Sequence, residues 1–125
     1  AGMGNNPSEA LEEFLSYISG CEKTYRSAFE AVGKEDTRLQ DLLHGLEFAP
    51  DDDAAILAAA KKLRESRKHR RENKDIVLML EKTVKHYGDP RHRKELSNLR
   101  DLLEQQRKTE EYLQGERTYI PRADG

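Results

Sequence analysis

The densest group of chemistry-capable side chains is Arg64–Lys74 (RESRKHRRENK), which carries six Lys or Arg, two Glu and His69. On a helix, Arg64, Arg67, Lys68, Arg71 and Lys74 share one broad face, and such a face can lie along a phosphate backbone. The competing reading is structural: Glu35, Asp36 and Glu110 neutralise part of the stretch, and the rest is a solvated face. No aromatic residue interleaves the cations, so the stacking platforms of single-strand and RNA binders are missing. No short helix-turn-helix spacing appears either.

The other reactive residue types read as structure. His44, His69, His86 and His92 contain no i, i+4 pair and no HExxH motif. His86 and His92 flank the Gly88–Pro90 turn, where they either meet near a carboxylate or simply decorate a surface turn. Asp51–Asp53 stands where a helix cap belongs and lacks EF-hand spacing. Cys21, the one cysteine, excludes an internal disulfide and every multi-cysteine metal site; its place in an apolar repeat marks a small buried side chain. Gly-rich phosphate loops, nucleophile elbows and Ser/His/Asp sets do not occur. The sequence therefore predicts a protein that is not an enzyme and needs no cofactor, metal or small-molecule substrate.

These residues require long helices to position them. Asn6-Pro7-Ser8-Glu9 has the form of an N-cap, a proline at the first helical position and a Glu at N3. From there two interleaved series run with alternating three- and four-residue spacing. One contains Leu11, Ile18, Tyr25, Val32, Leu39 and Leu46; the other contains Phe14, Cys21, Ala28, Glu35 and Leu42. A seven-residue repeat sustained this far is a coiled-coil-like seam. Its phase survives Gly33, which favours one helix over 7–46, roughly 60 Å long. The alternative is a kink at Gly33 with Thr37-x-x-Gln40 capping a restart.

Pro50 ends that helix, and the aspartates after it open a second, over 52–87. The second seam passes through Ile56, Leu63, Ser66, Arg70, Asn73, Val77 and Leu80, so three consecutive seam positions are polar. Gly88-Asp89-Pro90 reads as a glycine C-cap, an N-cap and a proline at N1, opening a third helix over 90–114. Residues 1–6 read as a disordered remnant, with Ala1-Gly2-Met3 as a cloning scar before a starting Met. Residues 116–125 read as an extended tail held by Tyr119-Ile120-Pro121.

Short connections make successive helices antiparallel neighbours. The expected fold is all-α: a long antiparallel helical hairpin and a shorter third helix form one three-helix, coiled-coil-like domain over 7–115. Glu35, Asp36, Gln106 and Glu110 then fall level with the polar waist of the second helix, and a layer of this kind can specify register. Three-helix packing is expected of Leu11–Val32, Val77–Tyr87 and Leu96–Leu113, leaving Leu39–Leu63 as a projecting two-helix tip. Leu39, Leu43, Leu46, Phe48, Ile56 and Leu57 give that tip more apolar surface than two helices can cover, which marks a protein interface. The tip would either pair with a second copy in a dimer or grip another protein.

Composition narrows the partners. With 22 Lys plus Arg against 24 Asp plus Glu, the net charge of −2 supplies no global field toward nucleic acid or anionic membranes. Nucleic acid is the lesser expectation and would depend on the basic stretch alone. No apolar run approaches a membrane span, and the N-terminus has no signal-peptide core. With a single cysteine, these features predict a cytoplasmic protein.

Three segments together carry a resemblance: Leu39-Gln40-Asp41-Leu42-Leu43-His44, the basic run Arg67–Asn73, and Glu116-Arg117-Thr118-Tyr119-Ile120-Pro121-Arg122. The combination resembles small all-helical proteins encoded by phages and prophages of Gram-positive gut bacteria. No activity attaches to that group, so the resemblance transfers no site residues. It implies a small phage protein of the kind that binds or inhibits a host component, such as a defence protein.

Overall fold

The computed structural model describes residues 6–115; the predicted tail 116–125 and all of the predicted 1–6 remnant except Asn6 lie outside them. The fold is all-α. Three helices follow one another: α1 (Pro7–Glu47), α2 (Asp53–Gly88) and α3 (Pro90–Gln114). The punctuation residues set their limits. Asn6 accepts the first helical bonds of α1 from the Glu9 and Ala10 amides, at 3.0 and 3.2 Å. Asp52 caps α2, its carboxylate accepting from the Ala54 amide at 3.4 Å. Asp89 caps α3 through the Arg91 amide at 2.9 Å, with Pro90 following.

α1 follows the favoured single-helix reading, and one local expectation, the Gly88 cap, is corrected. α1 runs unbroken through Gly33, and the Thr37 hydroxyl donates back to the Gly33 carbonyl at 3.0 Å instead of capping a new helix. A sustained seam holds the helix across a residue whose intrinsic cost is only about 1 kcal/mol. Gly88 is the last residue of α2 rather than a left-handed cap. The whole connection is then Asp89, since an N-cap followed by proline starts the next helix without further chain.

The chain divides into two compact units. Among the described residues, one comprises 6–18 and 87–115, and the other Ser19–His86. In the first, the start of α1, the end of α2 and α3 come together. Ile18, Leu96 and Leu103 are buried there, and the Phe14 and Tyr87 rings meet edge to face at 6.4 Å. Ser8 donates to the Glu110 carboxylate from its amide at 3.0 Å and from its hydroxyl. Arg107 pairs with Glu12 at 3.0 Å. Moving from Ser8 to Glu12 therefore moves backward from Glu110 to Arg107, so α3 runs antiparallel to the first turns of α1.

The Ser19–His86 unit is an antiparallel hairpin of α1 and α2. Cys21, Ala28 and Glu35 of α1 and Ser66 of α2 are its buried side chains. All four lie on the seam series, whose remaining members are mostly half-buried. The period of the sequence thus identifies the packed face. What it packs is small or polar, because two helices alone enclose little volume between them.

Candidate interaction surface

At the closed end of the hairpin, α1 ends with the Phe48 amide bonded to the His44 carbonyl at 2.8 Å. Pro50 then turns the chain, its carbonyl accepting from the Asp52 amide at 2.7 Å. Apolar side chains on both sides of this turn are exposed, the seam residue Ile56 among them. Phe48 is 76% exposed and Leu57 56%, while Leu43 and Ile56 are near 40%. Leu39 and Leu46 are half-buried on the α1 seam. Between the helices at this end lies an open groove of about 500 Å³, lined by Phe48, Leu42, the small residues Gly45, Ala55, Ala58 and Ala59, and the charged Asp41 and Lys62. The small lining residues let a side chain from outside approach the two backbones closely.

Further from the turn, the hairpin is held by its polar waist. The carboxylate of Glu35, only 7% exposed, accepts from the Ser66 hydroxyl and from Arg38 at 3.3 Å. Arg67 donates to the Glu35 carbonyl at 3.4 Å, while its buried Nε has no hydrogen-bond partner. Arg70 pairs with Asp36 at 2.6 Å. The expected ionic layer between Glu35–Asp36 and the 64–70 stretch is thus present in the hairpin. Gln106 and Glu110 do not extend it as the sequence suggested. Gln106 donates to Glu110 at 3.0 Å, and Glu110 accepts from Ser8, whose hydroxyl holds the Glu110 carboxyl below the usual carboxylate range. The physical reason is the direction of α3, which brings its last turns to the first turns of α1.

Of the five cations predicted to face phosphate, Arg67 is drawn into the waist, while Arg64, Lys68, Arg71 and Lys74 are exposed. None of these four forms an ion pair among the described residues. Asn73, at a seam position, donates to the His69 carbonyl of its own helix at 2.9 Å. Cys21 is buried and free, in keeping with its seam position.

Sequence reasoning missed exposed apolar residues away from the turn. Phe29 is 61% exposed, Leu78 61% and Met79 78%. The signal was present in the off-seam positions of all three, most plainly in the adjacent Leu78-Met79 pair outside the three-four spacing. No helix among the described residues is long and apolar enough to cross a membrane. No protein-family model, curated protein or solved structure matches the chain.

Proposed function

We propose that this protein is a non-enzymatic, phage-encoded, cytoplasmic interaction module whose hairpin tip binds a protein partner. The observation that carries this reading is that Leu43, Phe48, Ile56 and Leu57, all close in the chain to one turn, are substantially exposed, and that Phe48 lines an open groove there. An apolar patch rimmed by charge is the common form of a protein-binding surface. The groove suits an inserted aliphatic or aromatic side chain of a partner helix. The resemblance to prophage-encoded proteins supports a host protein as the target, with inhibition of a defence component as one use of such a grip.

The test is Leu43→Glu combined with Phe48→Glu. The double variant keeps its far-ultraviolet circular dichroism and loses the protein that wild type retains on an affinity column charged with host extract. Equal retention by both forms overturns the reading.

A second reading rests on the four exposed cations Arg64, Lys68, Arg71 and Lys74. Their spread along α2 is about 15 Å, room for a few phosphates. Nucleic-acid association through them predicts affinity that falls steeply with salt and with Lys68→Glu/Arg71→Glu. No binding of duplex DNA, single-stranded DNA or RNA at low salt eliminates it.

A further inference from the structure

α2 carries a second stripe with unbroken three-four spacing, offset from the seam that faces α1. It runs from Ala55 to Met79, and Arg67 lies at its midpoint in the sequence. Residues equally distant from that midpoint are complementary. Glu65 answers His69, Lys62 answers Glu72, Ala58 answers Ile76, and Ala55 answers Met79. Acceptor faces donor, cation faces anion, and each small residue faces a large one. Ala55 and Ile76 are half-buried, and the other six are exposed. Met79, at 78%, is the most exposed large apolar side chain among the described residues.

Antiparallel pairing of two identical helices brings residues equidistant from a shared centre opposite each other, and a two-fold axis there makes every contact occur twice. We infer that the protein pairs with a second copy of itself through this stripe, α2 against α2 and antiparallel, with the axis near Arg67. The two ends then fit. Met79 and Ile76 of one copy enter the groove of the other, whose lining contains Ala55 and Ala58. The centre closes with Lys62–Glu72 pairs and with the Glu65 carboxylate accepting from His69. Polar pairs at the centre fix direction and register, since a parallel arrangement sets Lys62 against Lys62 and Glu72 against Glu72. The stripe is about 36 Å long, a length typical of stable helical pairing. This goes beyond the tip reading. It assigns self-association to α2 and the groove to the second copy, and leaves only the exposed Leu43, Ile56 and Leu57 for a different partner.

Solution mass against concentration, by sedimentation, is the primary test. Wild type reaches the mass of two chains. Lys62→Glu and Glu72→Lys each weaken dimerisation by about tenfold or more, because each places like charges together twice. The combined Lys62→Glu/Glu72→Lys variant restores it. Ala58→Cys/Ile76→Cys adds a geometric readout. These positions are about 27 Å apart in one helix, beyond the reach of an intrachain disulfide, so mild oxidation yields covalent dimers while buried Cys21 stays unreacted. A wild-type mass of one chain at every concentration overturns the inference and leaves the tip reading intact. A dimer insensitive to Lys62→Glu but lost in Leu43→Glu/Phe48→Glu also overturns it, by moving self-pairing to the tip.

Discussion

The two compact units differ in what they can bury. Where the start of α1, the end of α2 and α3 meet, the buried residues include Ile18, Leu96 and Leu103, and Leu96 is only 2% exposed. In the Ser19–His86 hairpin, the buried residues are Cys21, Ala28, Glu35 and Ser66, while Phe29, Phe48, Leu57, Leu78 and Met79 stand more than half exposed. The reason is geometric. A large side chain needs contacts on several sides to leave water, and two helices supply them only along one narrow line. A third helix closes the remaining sides. The difference teaches where a large side chain can be enclosed: the three-segment unit buries Ile18, Leu96 and Leu103 although Tyr17, Tyr112 and Leu113 remain exposed, whereas the hairpin fully buries no large apolar side chain.

The largest test of this contrast compares large-to-small substitutions in the two units. Leu96→Ala is expected to cost about 3 kcal/mol through lost burial and the cavity left behind. Met79→Ala should change monomer stability by less than about 0.5 kcal/mol, as for other exposed sites. Urea unfolding below any dimerisation threshold measures both. Equal costs would mean that the hairpin's exposed residues are packed after all.

An intermediate effect concerns the polar waist. Glu35→Ala leaves the Ser66 hydroxyl and the Arg38 guanidinium without their acceptor while keeping the backbone carbonyl that Arg67 bonds, and is expected to cost about 2 kcal/mol. Glu35→Leu with Ser66→Leu should recover most of that loss, because matched apolar groups often replace a buried polar pair without net cost. The double variant should loosen register, visible as faster amide exchange near residues 35 and 66. Unchanged exchange in a stable double variant would remove the waist's role in alignment.

The smallest effect distinguishes the Ser8–Glu110 contact of the three-segment unit. The Ser8 hydroxyl bond lowers the Glu110 pKa in the fold. A carboxyl depressed in the folded state contributes stability in full above its ordinary value, about 4.3. That contribution is lost as pH falls through the lowered folded value. Ser8→Ala should therefore flatten the acid side of the stability profile slightly while leaving the difference from wild type constant near neutral pH. Parallel profiles down to strongly acidic pH would show that the bond carries no linkage.

Much of this was legible in the residues. Pro7 and Pro90, with the capping residues Asn6, Asp52 and Asp89, fixed where helices begin, because proline and a short polar cap satisfy the geometry of a first turn, and Pro50 marked the turn after α1. The three-four spacing named the buried face of α1 and α2, and the polar interruptions at Glu35, Ser66 and Arg70 announced a waist. These are local properties with a fixed period, so the chain states them directly. The turn at Pro50 likewise specified an apolar tip.

What only the tertiary structure decided is which surfaces meet. Glu110 was assigned to the waist from its seam position, yet it accepts from Ser8. Helical periodicity orients a side chain around its own axis and is silent on the direction the next helix takes after a one-residue connection. The off-seam positions of Phe29, Leu78 and Met79 hinted at their exposure without deciding it. An apolar residue off the seam is buried or bare according to whether a third helix covers it, and that depends on the path of the chain rather than on its local pattern.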